Sequence, residues 1–256
     1  MIAMSSSKEP HHFCRDARYS EGATAHNKLF EDKSDALYFG ESSTGYLPWP
    51  TAAERIARDL DRPKAIIILR HPVSRCFSHY RWRYRLGLEK RSFLEAIKND
   101  GFGFDPEQPT EYGYMAYLEF SQYARQCQVW EEALGSMNCL ILASDDLRKH
   151  HERTLTRCFD FLGLPPLNTY SKPENVNETN TLGRRPSKTI TGLAGLLPIG
   201  FKSSPVYQQL KDKILKVSAP VAPATMTTEE RTFVEESLAE DIAWYEARFA
   251  IPNKVN

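Results

Sequence analysis

The sequence predicts an α/β fold with a central, mostly parallel sheet flanked by helices. Two short apolar runs, at residues 64–69 and 138–143, indicate strands, and each is followed by a signal for the start of a helix. Runs this short and this continuously apolar are typical of strands buried on both faces, as in parallel sheets covered by helices. The resulting order of strand, helix, strand and helix indicates the α/β class.

The two strand–helix units have clear local signals. The first strand contains three consecutive isoleucines at positions 66–68, and Pro72 follows it closely. Because proline is well tolerated at the first helical position, a helix is predicted from Pro72 to about residue 86. In the second unit, the Ser-Asp-Asp run at 144–146 offers N-cap residues for a helix at 147–162, and Gly163 provides its C-terminal stop.

Further elements are predicted around these two units. The segment from 168 to 225 is rich in Pro, Asn, Thr, Ser and Gly, which indicates a long irregular stretch with one small helix near 206–217. Long loops in compact domains are often functional lids. Helices are also predicted at 51–60, 93–98, 112–134 and 228–249, and short strands at 4–7 and 37–39.

Composition predicts a single domain, residues 1–256, of a soluble cytoplasmic protein. With 41% apolar and 26% charged residues, the chain is globular and not disordered. Its 33 basic and 33 acidic side chains balance, which argues against a general nucleic-acid binder because phosphate contacts need a basic excess. Neither a membrane span nor a signal peptide is expected, since no apolar run is long enough. The 5 cysteines form no Cys-x-x-Cys pair, which fits a reducing compartment.

The end of the first strand is the most informative stretch. Arg70 stands at the carboxyl end of a buried parallel strand, where open α/β sheets bind ligands. The helix that follows presents free backbone N–H groups and a positive dipole end, which favour a phosphate. Ser78 lies about two turns into that helix, and its hydroxyl points back toward the same place. The alternative interpretation is an arginine that merely caps a helix beginning with proline.

This stretch resembles a known family. The pattern Arg-x-Pro-x-x-Arg-x-x-Ser-x-Tyr at 70–80 looks like the 3′-phosphate-binding segment of sulfotransferases that use 3′-phosphoadenosine 5′-phosphosulfate (PAPS). The Lys-Glu-Pro-His-His-Phe run at 8–13 is similar to the Lys-Glu-Pro-His-x-Phe segment of the carbohydrate-type branch. Further segments resemble the family in the right order, at 40–47, 142–147, 159–165 and 182–184. The resemblance extends over residues 5 to 249.

The resemblance implies a P-loop-NTPase-like three-layer sandwich and a set of nucleotide contacts. The family positions that bind the 3′-phosphate of PAPS correspond to Arg70 and Ser78. The family's Lys-Gly-Arg nucleotide loop corresponds to Leu182-Gly183-Arg184, which makes Gly183 and Arg184 candidate contacts and the neighbouring Arg185 a further one. A glycine allows close backbone approach, and a guanidinium grips phosphate with two parallel hydrogen bonds. The co-substrate is expected to be PAPS, and no metal is expected.

The resemblance also implies the catalytic residues. Glu9 falls on the family's catalytic base, and His11 on a position near the acceptor that can orient it or share in proton transfer. Lys8 either contacts the sulfuryl group or lies in solvent. Glu9 could instead be a solvated loop carboxylate, and His12 is expected to be a surface or packing residue. The acceptor implied is a hydroxyl or amine of a carbohydrate or glycosylated small molecule, with lipid and polyketide hydroxyls left open.

One expected feature is absent from the sequence. A sulfotransferase should have a strand and a Gly-rich loop for the 5′-phosphosulfate upstream of the Lys-Glu-Pro-His segment, and here seven residues precede Lys8. The chain is therefore expected to lack its N-terminal strand and phosphate loop. Two interpretations follow: a sulfotransferase, or a non-catalytic homologue that keeps only the 3′-phosphoadenosine half-site. A nucleotide kinase ranks last, because no GxxxxGK[ST] loop is present.

Overall fold

The computed structural model describes residues 2–30, 36–100, 116–165 and 222–249 of the 256-residue chain. Over these residues it contains four strands, all in parallel pairs: β1 (Ile2–Met4) with β2 (Tyr38–Gly40), and β3 (Ala65–Leu69) with β4 (Cys139–Ala143). The predicted α/β class with parallel strands is confirmed. Within the described ranges the two pairs are separate two-stranded sheets and not one central sheet.

Helices surround these strands. Over the described residues the α-helices are α1 (Asp16–Tyr19), α2 (Gly22–Asn27), α3 (Pro50–Asp59), α4 (Pro72–Arg85), α5 (Phe93–Lys98), α6 (Tyr123–Leu134), α7 (Ser144–Lys149), α8 (His151–Leu162), α9 (Thr228–Ser237) and α10 (Ala239–Phe249). Short 3₁₀ turns lie at Lys28–Phe30, Glu119–Ser121 and Ser136–Asn138. The small helix predicted near 206–217 lies outside the described residues.

The first strand–helix unit matches its prediction. β3 ends at Leu69, and α4 begins at Pro72 in the first helical position. The prediction that β3 is buried on both faces was wrong, because buried and exposed side chains alternate along the strand. Ile67 and Leu69 are buried in the core, whereas Ile66 and Ile68 are 38% and 48% exposed. The physical reason is that successive strand residues point to opposite faces, and only one face of β3 is well covered.

Two predicted helices are each divided in two. The break between α7 and α8 is at His150, with φ −129° and ψ 50°, and α7 begins directly after β4 without a side-chain cap. The Ser-Asp-Asp run at 144–146 therefore lies inside a helix and not before it. The break between α9 and α10 is at Leu238, with φ −115°. Its side chain is 1% exposed, so the break falls at a buried leucine.

Other helix and strand boundaries also differ from the predicted ones. Over the described residues from 116 onward, the helix predicted at 112–134 begins at Tyr123, because Gln122 has a ψ of 69° that ends the preceding 3₁₀ turn. The strand predicted at 4–7 lies earlier, at Ile2–Met4. Gly163 performs its predicted role, with a left-handed φ of 68° at the end of α8. A glycine adopts that conformation without the steric cost of a Cβ atom.

The core joins the strands to the helices that position the site. One cluster packs Ile67 and Leu69 of β3 against Trp49, before α3, and against Tyr123 and Trp130 of α6. Burying a large apolar side chain contributes roughly 1.5–3 kcal/mol. A second cluster joins α4, α5 and α9. Together they fix α4, and with it the strand end that carries Arg70.

The C-terminal helix α10 is attached to α6 by a buried carboxylate. Asp241 Oδ1 accepts a hydrogen bond of 2.9 Å from the backbone N–H of Ala124, in the first turn of α6. Burial raises the pKa of Asp241. We expect Asp241→Ala to lower the free energy of unfolding by about 1–2 kcal/mol, since it leaves that N–H without its cap. Urea unfolding measures this, with the exposed Glu240→Ala on the same turn as control; equal losses in both variants would contradict the capping role.

Candidate active site

Two chain segments lie side by side beyond the first strand pair. Because β1 and β2 are parallel, the segments that follow them leave the sheet at the same edge. The backbone N–H of His11 donates to Ser43 Oγ at 3.0 Å, and that of Phe13 donates to the Tyr46 hydroxyl at 3.3 Å. The predicted catalytic segment is thus tied to the segment after β2.

Thr44 holds the Glu9 carboxylate. Its backbone N–H donates to Glu9 Oε2 at 2.7 Å, and its hydroxyl donates to the same oxygen at 3.0 Å. The Glu9 side chain is 29% exposed, so it is neither freely solvated nor enclosed. Two hydrogen bonds to one oxygen fix the direction of the carboxylate and leave the other oxygen for a ligand.

The backbone at this segment is strained. Glu9 and His11 each have a φ of 53°, and over the described residues only Arg62 is a further non-glycine residue with positive φ. Such a left-handed conformation costs roughly 1–3 kcal/mol for a residue with a side chain, and it persists only where the surroundings impose it. Strain of this kind concentrates at functional sites, and here it falls on two of the predicted catalytic residues.

His11 lies between Glu9 and a thiol. Its Nε2 is 3.6 Å from Glu9 Oε2, and its Nδ1 is 3.6 Å from Cys14 Sγ. The imidazole is 13% exposed. Lys8 is exposed, and its role at the sulfuryl group stays a prediction. The structure therefore brings Glu9 and His11 together, with Cys14 and Thr44 at either end of the pair.

A buried aromatic and polar layer supports this segment. His12 packs edge-on against Phe13 at 4.9 Å between ring centroids, and its ring lies 4.8 Å from that of His26. Glu41 binds His26 at 3.0 Å and accepts from the Tyr46 hydroxyl at 2.9 Å. Burial, followed by the charge of His26, lowers the pKa of His12. His12 is buried and serves as a packing residue.

The predicted phosphate residues occupy the other strand end. Arg70 is the first residue after β3, and its side chain is exposed. Ser78 is half-buried in the second turn of α4. Arg75, within the same motif, donates through Nε to Ser121 Oγ at 2.7 Å and also binds the Tyr117 carbonyl. Arg75 thus anchors α4 to the turn at 117–121, and Arg70 is left facing solvent.

Three predicted nucleotide residues lie outside the described part of the chain, and the sequence prediction did not include Thr44 and Cys14. Gly183, Arg184 and Arg185 lie outside the described residues. Thr44 was missed although it lies in the segment at 40–47 that resembles the family, because its contact with Glu9 joins positions 35 residues apart. Cys14 had one signal, its spacing of three residues from His11, which suits a tight turn.

The described residues offer neither a metal-binding cluster nor a membrane-spanning helix. No group of three or more His, Cys, Asp or Glu side chains in them is arranged to hold a metal ion. Among the helices that the structure describes, none is long and apolar enough to cross a membrane.

Comparison with known proteins finds a likeness in fold. No protein-family model matches the chain, and no curated protein matches it. A sulfotransferase from Alicyclobacillus acidocaldarius is 18% identical with a TM-score of 0.63, over 97% of this chain and 85% of that chain. The sulfotransferase domain from the curacin biosynthetic pathway is 21% identical over 84% of this chain and 67% of that chain, and its TM-score of 0.37 is too low to carry an argument. The chain therefore has a fold like that of the first of these proteins.

Proposed function

We propose that this protein is a sulfotransferase that moves a sulfuryl group from PAPS to a hydroxyl or amine. One observation carries the proposal: the carboxylate of Glu9, on strained backbone beside His11, is held by Thr44 at the carboxyl end of the first strand pair. The fold shared with a sulfotransferase supports it. We further propose that both strand pairs belong to one sheet of a P-loop-NTPase-like three-layer sandwich.

In the proposed reaction, PAPS supplies the sulfuryl group and the chain positions the reactants. Glu9 accepts the proton of the acceptor hydroxyl, which is a poor nucleophile without a base. His11 orients the acceptor, and Lys8 neutralises charge that spreads over the sulfuryl oxygens in the transition state. These roles require the Glu9 carboxylate to be correctly directed, which its two hydrogen bonds from Thr44 favour.

The nucleotide is held at the second strand end in this proposal. Arg70 is exposed at the start of α4, a helix of 14 residues, whose first turn offers N–H groups without intrahelical acceptors. This arrangement suits the 3′-phosphate of PAPS, with Ser78 as a further donor. Gly183, Arg184 and Arg185 are proposed to complete the nucleotide site.

The acceptor and the compartment are also part of the proposal. The resemblance of residues 8–13 to the carbohydrate-type branch favours a carbohydrate or glycosylated small molecule as acceptor. The 5 cysteines are free thiols, which favours the reducing environment of the cytoplasm.

We expect Arg70→Ala to weaken the binding of adenosine 3′,5′-bisphosphate by about 10–100-fold, because charge-assisted hydrogen bonds to a phosphate are lost. The affinity for adenosine 5′-monophosphate should change little. Isothermal titration calorimetry with both nucleotides measures the difference, and Arg231→Ala, an exposed arginine of α9, controls for the change in net charge. Equal losses for both nucleotides would remove Arg70 from the 3′-phosphate site.

A transfer assay tests the reaction itself. The release of adenosine 3′,5′-bisphosphate from PAPS is followed with a panel of sugar and glycoside acceptors. Turnover that depends on the acceptor supports the enzyme. Binding of the bisphosphate without any transfer would favour the non-catalytic alternative, in which only the 3′-phosphoadenosine half-site is kept.

A further inference from the structure

We propose that Cys14 is a positioning residue: its thiol donates to Nδ1 of His11 and so keeps the imidazole in the tautomer whose proton is on Nε2, facing Glu9. This inference rests on the proposed function, because it assigns separate roles to the two side chains in the candidate active site. It makes Glu9 the base and His11 a hydrogen-bond donor.

The contact between Cys14 and His11 is within hydrogen-bonding reach. Sγ of Cys14 lies 3.6 Å from Nδ1 and 3.8 Å from the carbonyl oxygen of His11, so the single thiol proton has two acceptors and the ring nitrogen is the nearer. The Cys14 side chain is buried in the core cluster that also contains Phe13 and Tyr46. Its position is thereby fixed relative to the imidazole.

The Cys14 thiol is protonated at neutral pH and can therefore donate. Burial raises the pKa of Cys14 to about 12, and the neighbouring charge of Arg15 offsets only part of that effect. A thiolate would instead accept a hydrogen bond from Nδ1–H and so impose the opposite tautomer. Since the thiol stays protonated, Cys14 supplies the proton to this contact.

The tautomer follows from the contact. A neutral imidazole has one nitrogen that donates and one that accepts, so an Nδ1 that accepts from Cys14 leaves the proton on Nε2. That nitrogen is 3.6 Å from Glu9 Oε2, the oxygen that also receives both hydrogen bonds from Thr44. Over the described residues, the donors beside this carboxylate then converge on Oε2, and in this proposal Oε1 accepts the proton from the acceptor.

This assignment separates the role of base from the role of orienting the acceptor, both of which the sequence analysis allowed for His11. With Nδ1 engaged by Cys14 and Nε2 already protonated, neutral His11 has no free nitrogen to act as a base. Glu9 is then the sole proton acceptor of the pair. His11 contributes by orientation, either toward Glu9 or, after a small rotation, toward the acceptor.

The tautomer of His11 tests the proposal without any need for activity. Long-range ¹H–¹⁵N NMR correlation spectra of the full chain, labelled with ¹⁵N in its histidine rings, show which nitrogen carries the proton. We expect the Nε2–H form in the parent chain and in Cys14→Ser, whose hydroxyl also donates. A parent His11 with its proton on Nδ1 would overturn the proposal, whatever the variants do.

Two alanine variants separate the role of this thiol from the loss of a buried side chain. Cys14→Ala should shift His11 toward a mixture of tautomers, whereas Cys127→Ala, which removes a buried thiol from α6, should leave the tautomer unchanged. In the transfer assay, Cys14→Ala should lower kcat about fivefold to tenfold without changing KM for PAPS, and Cys14→Ser should restore it. An equal loss of kcat in Cys127→Ala would also count against the proposal.

The outcomes distinguish this inference from the proposed function. A chain that transfers no sulfuryl group but shows the Nε2–H tautomer, lost only in Cys14→Ala, would contradict the proposed function and leave the contact between Cys14 and His11 established. An active chain whose tautomer and kcat are indifferent to Cys14 would keep the proposed function and remove Cys14 from the site.

Discussion

Replacing Glu9 with glutamine is expected to lower kcat for sulfuryl transfer by about 10²–10⁴-fold, the usual contribution of a positioned base. The amide has nearly the same shape and can still accept hydrogen bonds from Thr44, but it cannot take a proton from the acceptor. The binding of adenosine 3′,5′-bisphosphate should be nearly unchanged, because Glu9 faces the acceptor and not the nucleotide in the proposed mechanism. Initial rates of transfer and calorimetric titration of the same protein samples measure the two effects.

A matched variant makes the Glu9 result specific. Glu21→Gln also removes one negative charge, at an exposed position paired with Arg18. It should leave kcat within a factor of two of the parent value. Turnover that survives in Glu9→Gln would place the base elsewhere, whereas a loss of nucleotide affinity as large as the loss of kcat would indicate a disrupted fold around the strained segment.

Replacing Glu89 with glutamine is expected to have the largest effect on stability, lowering the free energy of unfolding at pH 7 by about 3 kcal/mol. The Glu89 side chain is 4% exposed and pairs with Arg91 at 2.7 Å. Its oxygens also accept from the backbone N–H groups of Lys90 and Arg91 and from the Tyr117 hydroxyl. Hydrogen bonds to a charged group contribute about 1.5–3 kcal/mol each, and the neutral amide of glutamine weakens several of them at once.

The dependence of this effect on pH follows from the pKa of Glu89. Burial alone would raise this pKa, but hydrogen bonds from Arg91, the backbone and Tyr117 outweigh it and lower the pKa to about 2. A depressed carboxyl pKa contributes stability that is fully present above the ordinary pKa of about 4.3 and is lost as the pH falls toward 2. A shift of this size corresponds to about 3 kcal/mol.

Urea unfolding at pH 7 and at pH 3 measures this difference. We expect the gap between the parent and Glu89→Gln to be largest at pH 7 and clearly smaller at pH 3. Glu236→Gln, at an exposed position on α9, should change little at either pH. A gap that does not depend on pH would mean that Glu89 stabilises the fold by packing and not through its charge.

Glu89 also matters to the candidate site. Its partner Tyr117 receives, through its carbonyl oxygen, a hydrogen bond from Arg75 of α4. Asp100 accepts from the backbone N–H groups of Leu118 and Glu119 at 2.7 and 3.1 Å, which holds the same turn. The first turns of α4, where the phosphate is proposed to bind, are therefore held through Arg75 by a polar network at the turn 117–121.

The sequence alone predicted those parts of the fold whose causes lie within a few neighbouring residues. A short run of isoleucines predicted β3, a proline at the first helical position predicted the start of α4, and Gly163 predicted the end of α8. These signals act within a few residues of one another. They placed Arg70 at a strand end followed by a helix, which is the part of the candidate site that depends on local structure.

Only the tertiary structure decided the rest, because the decisive contacts join distant segments. Glu9 meets Thr44 through the register of β1 with β2, and the breaks at His150 and Leu238 divide helices whose local patterns read as continuous. The left-handed backbone at Glu9 and His11 is unfavourable by itself and is imposed by those contacts. Pairing and burial that depend on residues far apart in the chain leave no pattern in a single segment, so the geometry of the proposed base could be read only from the folded chain.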